Sequence, residues 1–239
     1  MNVLSVDVGG TNVKMLASGK ADLRRIPSGP EMTPGILVER VLAETGDWPY
    51  EAIALGYPGP VLHNRPAFEP HNLAEGWVGF DFEAAFGKPV RVINDAAMQA
   101  LGSYEGGKML FLGLGTGLGS AFVIDGSVIP LELAHLPYRK GRTFEDYVGL
   151  RGLDRLGKKK WQRAVEDVVA RLQAAFIADY VVLGGGNVKK LQRLPRGAQL
   201  GDNKNAIIGG FRLWQAEGGS SSAPAVPDDG VATVPKSSQ

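Results

Sequence analysis

The chain has 239 residues, 44% hydrophobic and 21% charged, which is globular composition with length for one large or two small domains. The formal net charge of +1 excludes a broad electrostatic demand for nucleic acid or an anionic membrane surface, and no apolar run approaches the roughly 18 residues of a membrane span. The absence of cysteine excludes disulfides, thiol nucleophiles and cysteine–zinc sites, and with no basic leader in Met1-Asn2-Val3-Leu4 it predicts a cytoplasmic protein.

The chain opens with a mostly apolar run (residues 3–6), the turn Asp7-Val8-Gly9-Gly10-Thr11 and a second run (residues 13–17), the pattern of a β-hairpin. Residues 22–26 predict a third strand. From 33 to 45, Leu37 pairs with Val41 and Val38 with Leu42, four apart, with Ile36 alongside. That predicts an amphipathic helix, capped by Thr33, begun by Pro34 and stopped by Gly46. Residues 52–55 form a short buried strand running into Gly56-Tyr57-Pro58-Gly59-Pro60. This is a rigid loop at a strand's C-terminal end, where open α/β sheets place ligands. Residues 63–77 are irregular; His71-Asn72-Leu73 and Gly76-Trp77 read either as a binding wall or as a surface loop. A short helix (80–86) ends at Gly87. A buried strand (90–93) then meets Asn94-Asp95, and residues 96–104 predict a helix.

Residues 112–126, LGLGTGLGSAFVIDG, form a second hairpin pattern in which Gly113, Gly115, Gly117 and Gly119 alternate around Thr116. A hairpin needs one or two glycines. So many missing side chains let a bulky group approach successive amides, which make an anion-binding concavity. A phosphate cradle and an ordinary tight turn are both open on this stretch alone. Strand, Gly-Thr turn, strand occurs twice, with Thr11 and Thr116 about 105 positions apart, near the length of one domain. Two such domains can close on a nucleotide or polyphosphate from both sides. The motif GxxxxGK[ST] is absent, and Leu118 breaks GxGxxG.

Residues 130–136 contain Glu132-Leu133-Ala134-His135. Residues 144–156 and 161–176 predict helices, and 178–183 a strand. Gly184-Gly185-Gly186-Asn187 opens the next helical segment, and 206–215 is the last helix. From Gly218 the chain is rich in Ser, Pro, Gly and Ala, and residues 218–239 predict a disordered tail.

Asp95 sits where a buried strand meets a helix. It reads as an N-cap, or as a carboxylate that accepts a hydroxyl proton during attack on a phosphoryl group. Glu132 and His135, three apart, can both reach a polyhydroxy ligand. Glu145 is a carboxylate beside the aromatic neighbours Phe144 and Tyr147, a weak sugar-binding signal. Arg139, Lys140, Arg142 and Lys158-Lys159-Lys160 read as a solvated surface or as a groove for a polyanion. Gly184, Gly185 and Gly186 suit an anion or a nucleotide against a helix N-terminus.

DVGGTNVK, GYPGP, VINDA, LGLGTGLGSAFVIDG, ELAHL and VVLGGGNV, in this order, resemble the motifs of the ROK family. That family groups bacterial sugar kinases with related repressors on an actin-like, hexokinase-like fold. The resemblance runs from Val3 to about Trp214 and is nearest to the glucokinases, including those using polyphosphate. It implies that Asp7, Gly9, Gly10 and Thr11 form one phosphate motif, and Gly115, Thr116 and Gly117 the other. It implies a sugar-binding Asn94, a catalytic Asp95, sugar ligands in Glu132, His135 and Glu145, and adenosine-side glycines in Gly185 and Gly186. The family's Cys-rich zinc segment is missing, so no zinc is expected. The family's E-x-G-H reads Glu132-Leu133-Ala134-His135, and alanine there is expected to tighten the backbone near the sugar.

The expectation is an α/β protein with two actin-like (hexokinase-like, ribonuclease H-like) domains and an interdomain cleft. The domains are residues 1–105 and 106–217, with the last helix packing back on the first. The implied activity is phosphoryl transfer from ATP or polyphosphate to a hexose hydroxyl, the 6-hydroxyl of glucose, with Mg²⁺ bridging the donor phosphates. The implied assembly is a homodimer. One rival reading is a sugar-sensing transcriptional regulator; the first strand begins at about Val3, leaving no room for a DNA-binding helix-turn-helix before it. The other is a non-catalytic sugar-binding protein, which has no need of Asp95.

Overall fold

The structure, a computed structural model, describes residues 1–202 and 204–215. The predicted tail lies outside the described residues. Both predicted hairpins form. β1 (Val3–Val8) pairs antiparallel with β2 (Asn12–Ala17), setting Asp7 opposite Lys14, and β3 (Arg24–Pro27) continues the meander. Helix α1 (Pro34–Thr45) starts as its sequence dictates: the Thr33 hydroxyl accepts from the Ile36 N–H at 3.2 Å, and Leu37 and Val41 are buried. β4 (Ala52–Tyr57), buried at every position, adds parallel to β1. A small hairpin of β5 (Val61–Leu62) and β6 (Arg65–Pro66) follows, then α2 (Phe82–Phe86), ended by left-handed Gly87. β7 (Val90–Asn94) adds parallel to β4 and runs directly into α3 (Asp95–Ser103).

The second half repeats the plan. β8 (Lys108–Leu114), β9 (Leu118–Ile124) and β10 (Ser127–Leu131) form a meander; β13 (Tyr180–Gly184) and β14 (Ala198–Leu200) add to it in parallel. Between them lie a hairpin of β11 (Pro137–Arg139) and β12 (Arg142–Thr143), then α4 (Glu145–Val148) and α5 (Leu150–Phe176). The chain's described part ends in α6 (Asn205–Gln215). The sheet orders are β3-β2-β1-β4-β7 and β10-β9-β8-β13-β14, the same arrangement twice. The β9–β10 turn explains itself: Asp125 and Gly126 both have positive φ, as a two-residue hairpin turn requires.

Three expectations change. The helix expected over 144–156 is divided at Gly149, whose extended backbone separates α4 from α5. The break expected near 157–160 is a single residue, Gly157 at φ 71°, after which the helix resumes. The glycines 184–186 open only one 3-10 turn, Val188–Lys190, rather than a helix.

The helices that end the two halves exchange sheets. α3 follows the last strand of the first sheet but packs on β8, β9 and β10. α6 follows the last strand of the second sheet but packs on β1 and β4, where the Trp214 indole N–H donates to the Ile53 carbonyl at 3.2 Å. The two helices cross at glycines. A Cβ on Gly209 would collide with the Met98 carbonyl, and one on Gly102 with the Asn205 carbonyl. This crossing joins the halves and leaves the two Gly-Thr turns at the ends of β1 and β8. Among the described residues no helix is long and apolar enough to cross a membrane.

Candidate active site

Gly10 and Thr11 of the first turn and Thr116 of the second line one cavity of about 520 Å³, with Pro30, His71, Asn72 and Leu73. The loop at 63–77 therefore contributes a wall. Each turn is braced from behind. In the first, the Gly9 N–H donates to the Asn12 carbonyl at 3.1 Å and the Ser28 N–H to Thr11 at 2.9 Å. In the second, the Leu150 N–H donates to the carbonyls of Gly115 and Thr116 at 3.1 Å. The Asn187 side chain donates to Gly115 at 2.7 Å, and the Asn187 N–H to Leu114 at 2.9 Å. Carbonyls engaged with protein donors do not oppose an anion at the turn, so the bracing favours the cradle over an ordinary turn.

The glycines divide by what faces them. Above Gly115 and Gly186 there is open space for a ligand. Gly185, at φ 84°, backs onto the Leu114 carbonyl, and Gly117 is faced by the Glu145 carboxylate, so both answer to packing. Gly10 lies against Asn72, 3.1 Å from where a Cβ would sit.

Asn94 and Asp95 divide the work at the end of β7. Asn94 is the N-cap of α3: its Oδ1 accepts from the Ala97 N–H at 3.1 Å, while its Nδ2 donates to the Gly59 carbonyl at 3.0 Å. The rigid Gly-Pro loop thus holds the strand–helix junction. Asp95 is not the cap, so its carboxylate is available for other work, with the adjacent Ala96 N–H donating to Oδ1 at 2.7 Å. Burial, then the charge of Asp7, push the Asp95 carboxyl up to about 7; the Ala96 bond opposes this and Glu132 adds to it. Asp7 forms an ion pair with Lys14 at 3.2 Å.

Glu132 and His135 lie on a non-helical turn after β10. Its buried anchor is Leu133, whose N–H donates to the Ser120 hydroxyl at 3.3 Å. Burial raises the Glu132 carboxyl above the ordinary range; His135 opposes the rise and Glu145 adds to it. Glu145 joins this group through its N–H, which donates to the Ala134 carbonyl at 3.0 Å. Ala134 is buried with ordinary φ, so its methyl group fits where the motif has glycine. The structure thus brings Asp7, Asp95, Glu132, His135 and Glu145 into one electrostatically linked group.

The basic residues do not line that cavity. Arg139 pairs with Asp167 at 3.1 Å and stacks on Tyr138, while Lys158-Lys159-Lys160 continue α5 beyond Gly157. A second cavity, about 580 Å³, lies between β7, Val128 and Trp214. Its polar groups are engaged: Asn64 bonds Val90 and Val92, Glu83 bonds Val90, and Arg91 bonds the Leu213 carbonyl and stacks on Trp214. Sequence reasoning missed Lys14, Asn187 and Arg151. Lys14 was legible only through hairpin register, Asn187 acts on a loop distant in sequence, and Arg151 meets Glu145 only across the break between α4 and α5.

Comparison with known proteins agrees with this architecture. The family model described as ROK family matches residues 3–130. A polyphosphate glucokinase of Mycobacterium tuberculosis (strain CDC 1551 / Oshkosh) is 27% identical over 217 residues, covering 79% of this chain and 78% of the relative. The inorganic polyphosphate/ATP-glucomannokinase from Arthrobacter sp. strain KM superposes with a TM-score of 0.74 at 24% identity, covering 90% of this chain and 98% of that one. A ROK family glucokinase from Streptomyces griseus, solved with glucose and AMPPNP, gives a TM-score of 0.69 at 17% identity, covering 87% and 97%.

Proposed function

Because the chain belongs to the ROK family, we propose that it is a sugar kinase that transfers a phosphoryl group from ATP or polyphosphate to the 6-hydroxyl of glucose. The observation that carries this reading is one juxtaposition. Thr11 and Thr116 face a common cavity, and Asp7, near the end of the strand leading to the first turn, acts on the partly buried carboxylate of Asp95. The relatives named as glucokinases support the reading. In the same proposal residues 1–105 and 106–217 are two actin-like domains with the site in the cleft between them, and the active form is a cytoplasmic homodimer.

A sugar hydroxyl is a poor nucleophile at neutral pH. Asp95, held near neutrality by burial, orients the hydroxyl toward the terminal phosphate and accepts its proton as the new bond forms. The two turns hold the donor by amides and threonine hydroxyls. Glu132, His135 and Glu145 take the remaining sugar hydroxyls, and Asn94 fixes the angle of the Asp95 backbone. The donor set suits Mg²⁺ rather than a caged ion. Among the described residues no cluster of three metal-ligating side chains forms, and Mg²⁺ is ordinarily bound by one or two carboxylates, phosphates and water. Asp7 is the residue that would hold it, and the ion supplies charge neutralisation of the donor phosphates.

The test is a coupled assay for glucose-dependent phosphate transfer, run separately with ATP and with polyphosphate. Asp95→Asn keeps size and hydrogen bonding but removes the basic oxygen. Its turnover is expected to fall by about two to four orders of magnitude, with glucose binding changed much less. Turnover within about tenfold of the parent in single-turnover measurements would reject the base assignment.

A further inference from the structure

Glu145 stands between the two groups of residues just described. Its backbone N–H is tied to Ala134, so it moves with the Glu132–His135 turn. Its carboxylate lies against Gly117 of the second Gly-Thr turn, filling the space a Cβ would need. A negative charge at that point opposes any phosphate cradled at Thr116. Arg151 offsets it: Nη2 donates to Glu145 Oε1 at 2.8 Å and lies 3.8 Å from Asp146 Oδ1. Arg151 is also the residue after Leu150, whose N–H braces the carbonyls of Gly115 and Thr116. The Arg151 backbone is therefore anchored beside the turn.

The pair is lopsided. The Glu145 side chain is 18% exposed and that of Arg151 is 71% exposed. An ion pair with so exposed a partner is weakened by solvent, even with Asp146 adding a second, longer contact at 3.8 Å. A phosphate offers a guanidinium two parallel, charge-assisted bonds in the geometry it favours. These differences favour the exchange of carboxylate for phosphate, and among the described residues the Arg151 side chain is left largely open to solvent.

Resting on the kinase reading, we propose that Arg151 is a donor-binding residue of this chain, which leaves Glu145 for a donor phosphate at the second turn. The exchange frees the Glu145 carboxylate toward the sugar turn. Donor and sugar binding then assist one another, by the same factor in each direction. The ligand chemistry is a phosphate oxyanion, common to a nucleotide triphosphate and to polyphosphate.

The test compares parent, Arg151→Gln, Arg151→Lys and Glu145→Gln in the coupled assay, together with calorimetric titration of tripolyphosphate. Arg151→Gln is expected to raise the donor KM and weaken tripolyphosphate binding by about tenfold or more, with a smaller change in kcat. Arg151→Lys should recover part of the loss. Glu145→Gln should raise the glucose KM without raising the donor KM. If the parent transfers phosphate while donor KM and tripolyphosphate affinity of Arg151→Gln stay within about twofold, the proposal is overturned and the kinase reading stands. A lower melting temperature without those two shifts assigns Arg151 a structural role and also overturns it. If the parent transfers nothing, the kinase reading fails, and the titration alone still decides whether Arg151 meets phosphate.

Discussion

A carboxylate that is useful as a base at neutral pH is costly to the fold that holds it. Asp95 ionises near 7 in the folded chain and near the ordinary carboxylate range when unfolded. Between those values the folded state binds the extra proton, so stability falls as pH rises. The contribution is fully present below about pH 4 and is lost as pH passes through about 7. Asp95→Asn removes this dependence. Its melting temperature relative to the parent is therefore expected to climb between pH 5 and pH 8, reaching about 5–10 °C, or about 2–4 kcal/mol. Thermal melts of the two proteins across that range check it, and a constant difference would reject the elevated carboxyl. Asp95 was legible as a candidate because strand, Asn-Asp and helix adjoin in sequence. That Asn94 rather than Asp95 caps α3 was not legible, because the local cap bond from Ala97 is backed by one from Asn94 to the Gly59 carbonyl in another loop. Lys14 and Arg151 escaped notice for a different reason, although their partners lie within seven positions in the chain. Their partners are fixed by register and by the fold of α4 against the second turn.

The elements that sequence made plain carry their own punctuation. α1 has a cap, a proline and a four-residue apolar spacing; each hairpin has a turn of glycine between apolar runs. The elements it hid lack that contrast. β11, β12 and β14 are two or three residues long and have no fully buried position to set a period. The glycines also mislead when counted together, because ligand space and helix contact both require the absence of Cβ. The two uses predict opposite outcomes. Alanine at Gly209 gains about 1 kcal/mol of helix propensity, but its methyl group meets the Met98 carbonyl, which cannot yield without parting α3 from α6. A net loss of about 2–3 kcal/mol and about 5–10 °C in melting temperature is expected. Gly186→Ala faces open space and should hold stability within about 0.5 kcal/mol while raising the donor KM. Paired melts and kinetics separate the two, and a stable Gly209→Ala would show that the crossing is looser than its geometry.

At the scale of the molecule, the repeat of Gly-Thr hairpins foretold two sheets of like order but not how they are joined. Domain length alone suggests that a cut after residue 105 yields two independent folding units. The helix exchange argues otherwise. α3 belongs in sequence to the first half, yet Ala96, Ala97, Met98 and Ala100 share a core with Met109, Phe111, Ala121 and Val123 of the second. α6 belongs to the second half, yet Gly210 lies on the buried Ser5 of β1 and Trp214 reaches Ile53 of β4. Separating the halves therefore uncovers one face of each sheet and one face of each terminal helix. At about 1.5–3 kcal/mol per large apolar side chain uncovered, a few such residues match the 5–15 kcal/mol that a whole domain has in hand. A fragment of residues 1–105 alone is expected to show no cooperative thermal transition by circular dichroism and to be cut rapidly by protease. Mixing or co-expression with residues 106–239 should restore both the transition and glucose-dependent phosphate transfer. Cooperative melting of residues 1–105 alone would mean that the first sheet is stable without α6. The exchanged helices would then serve to couple two finished domains rather than to complete them.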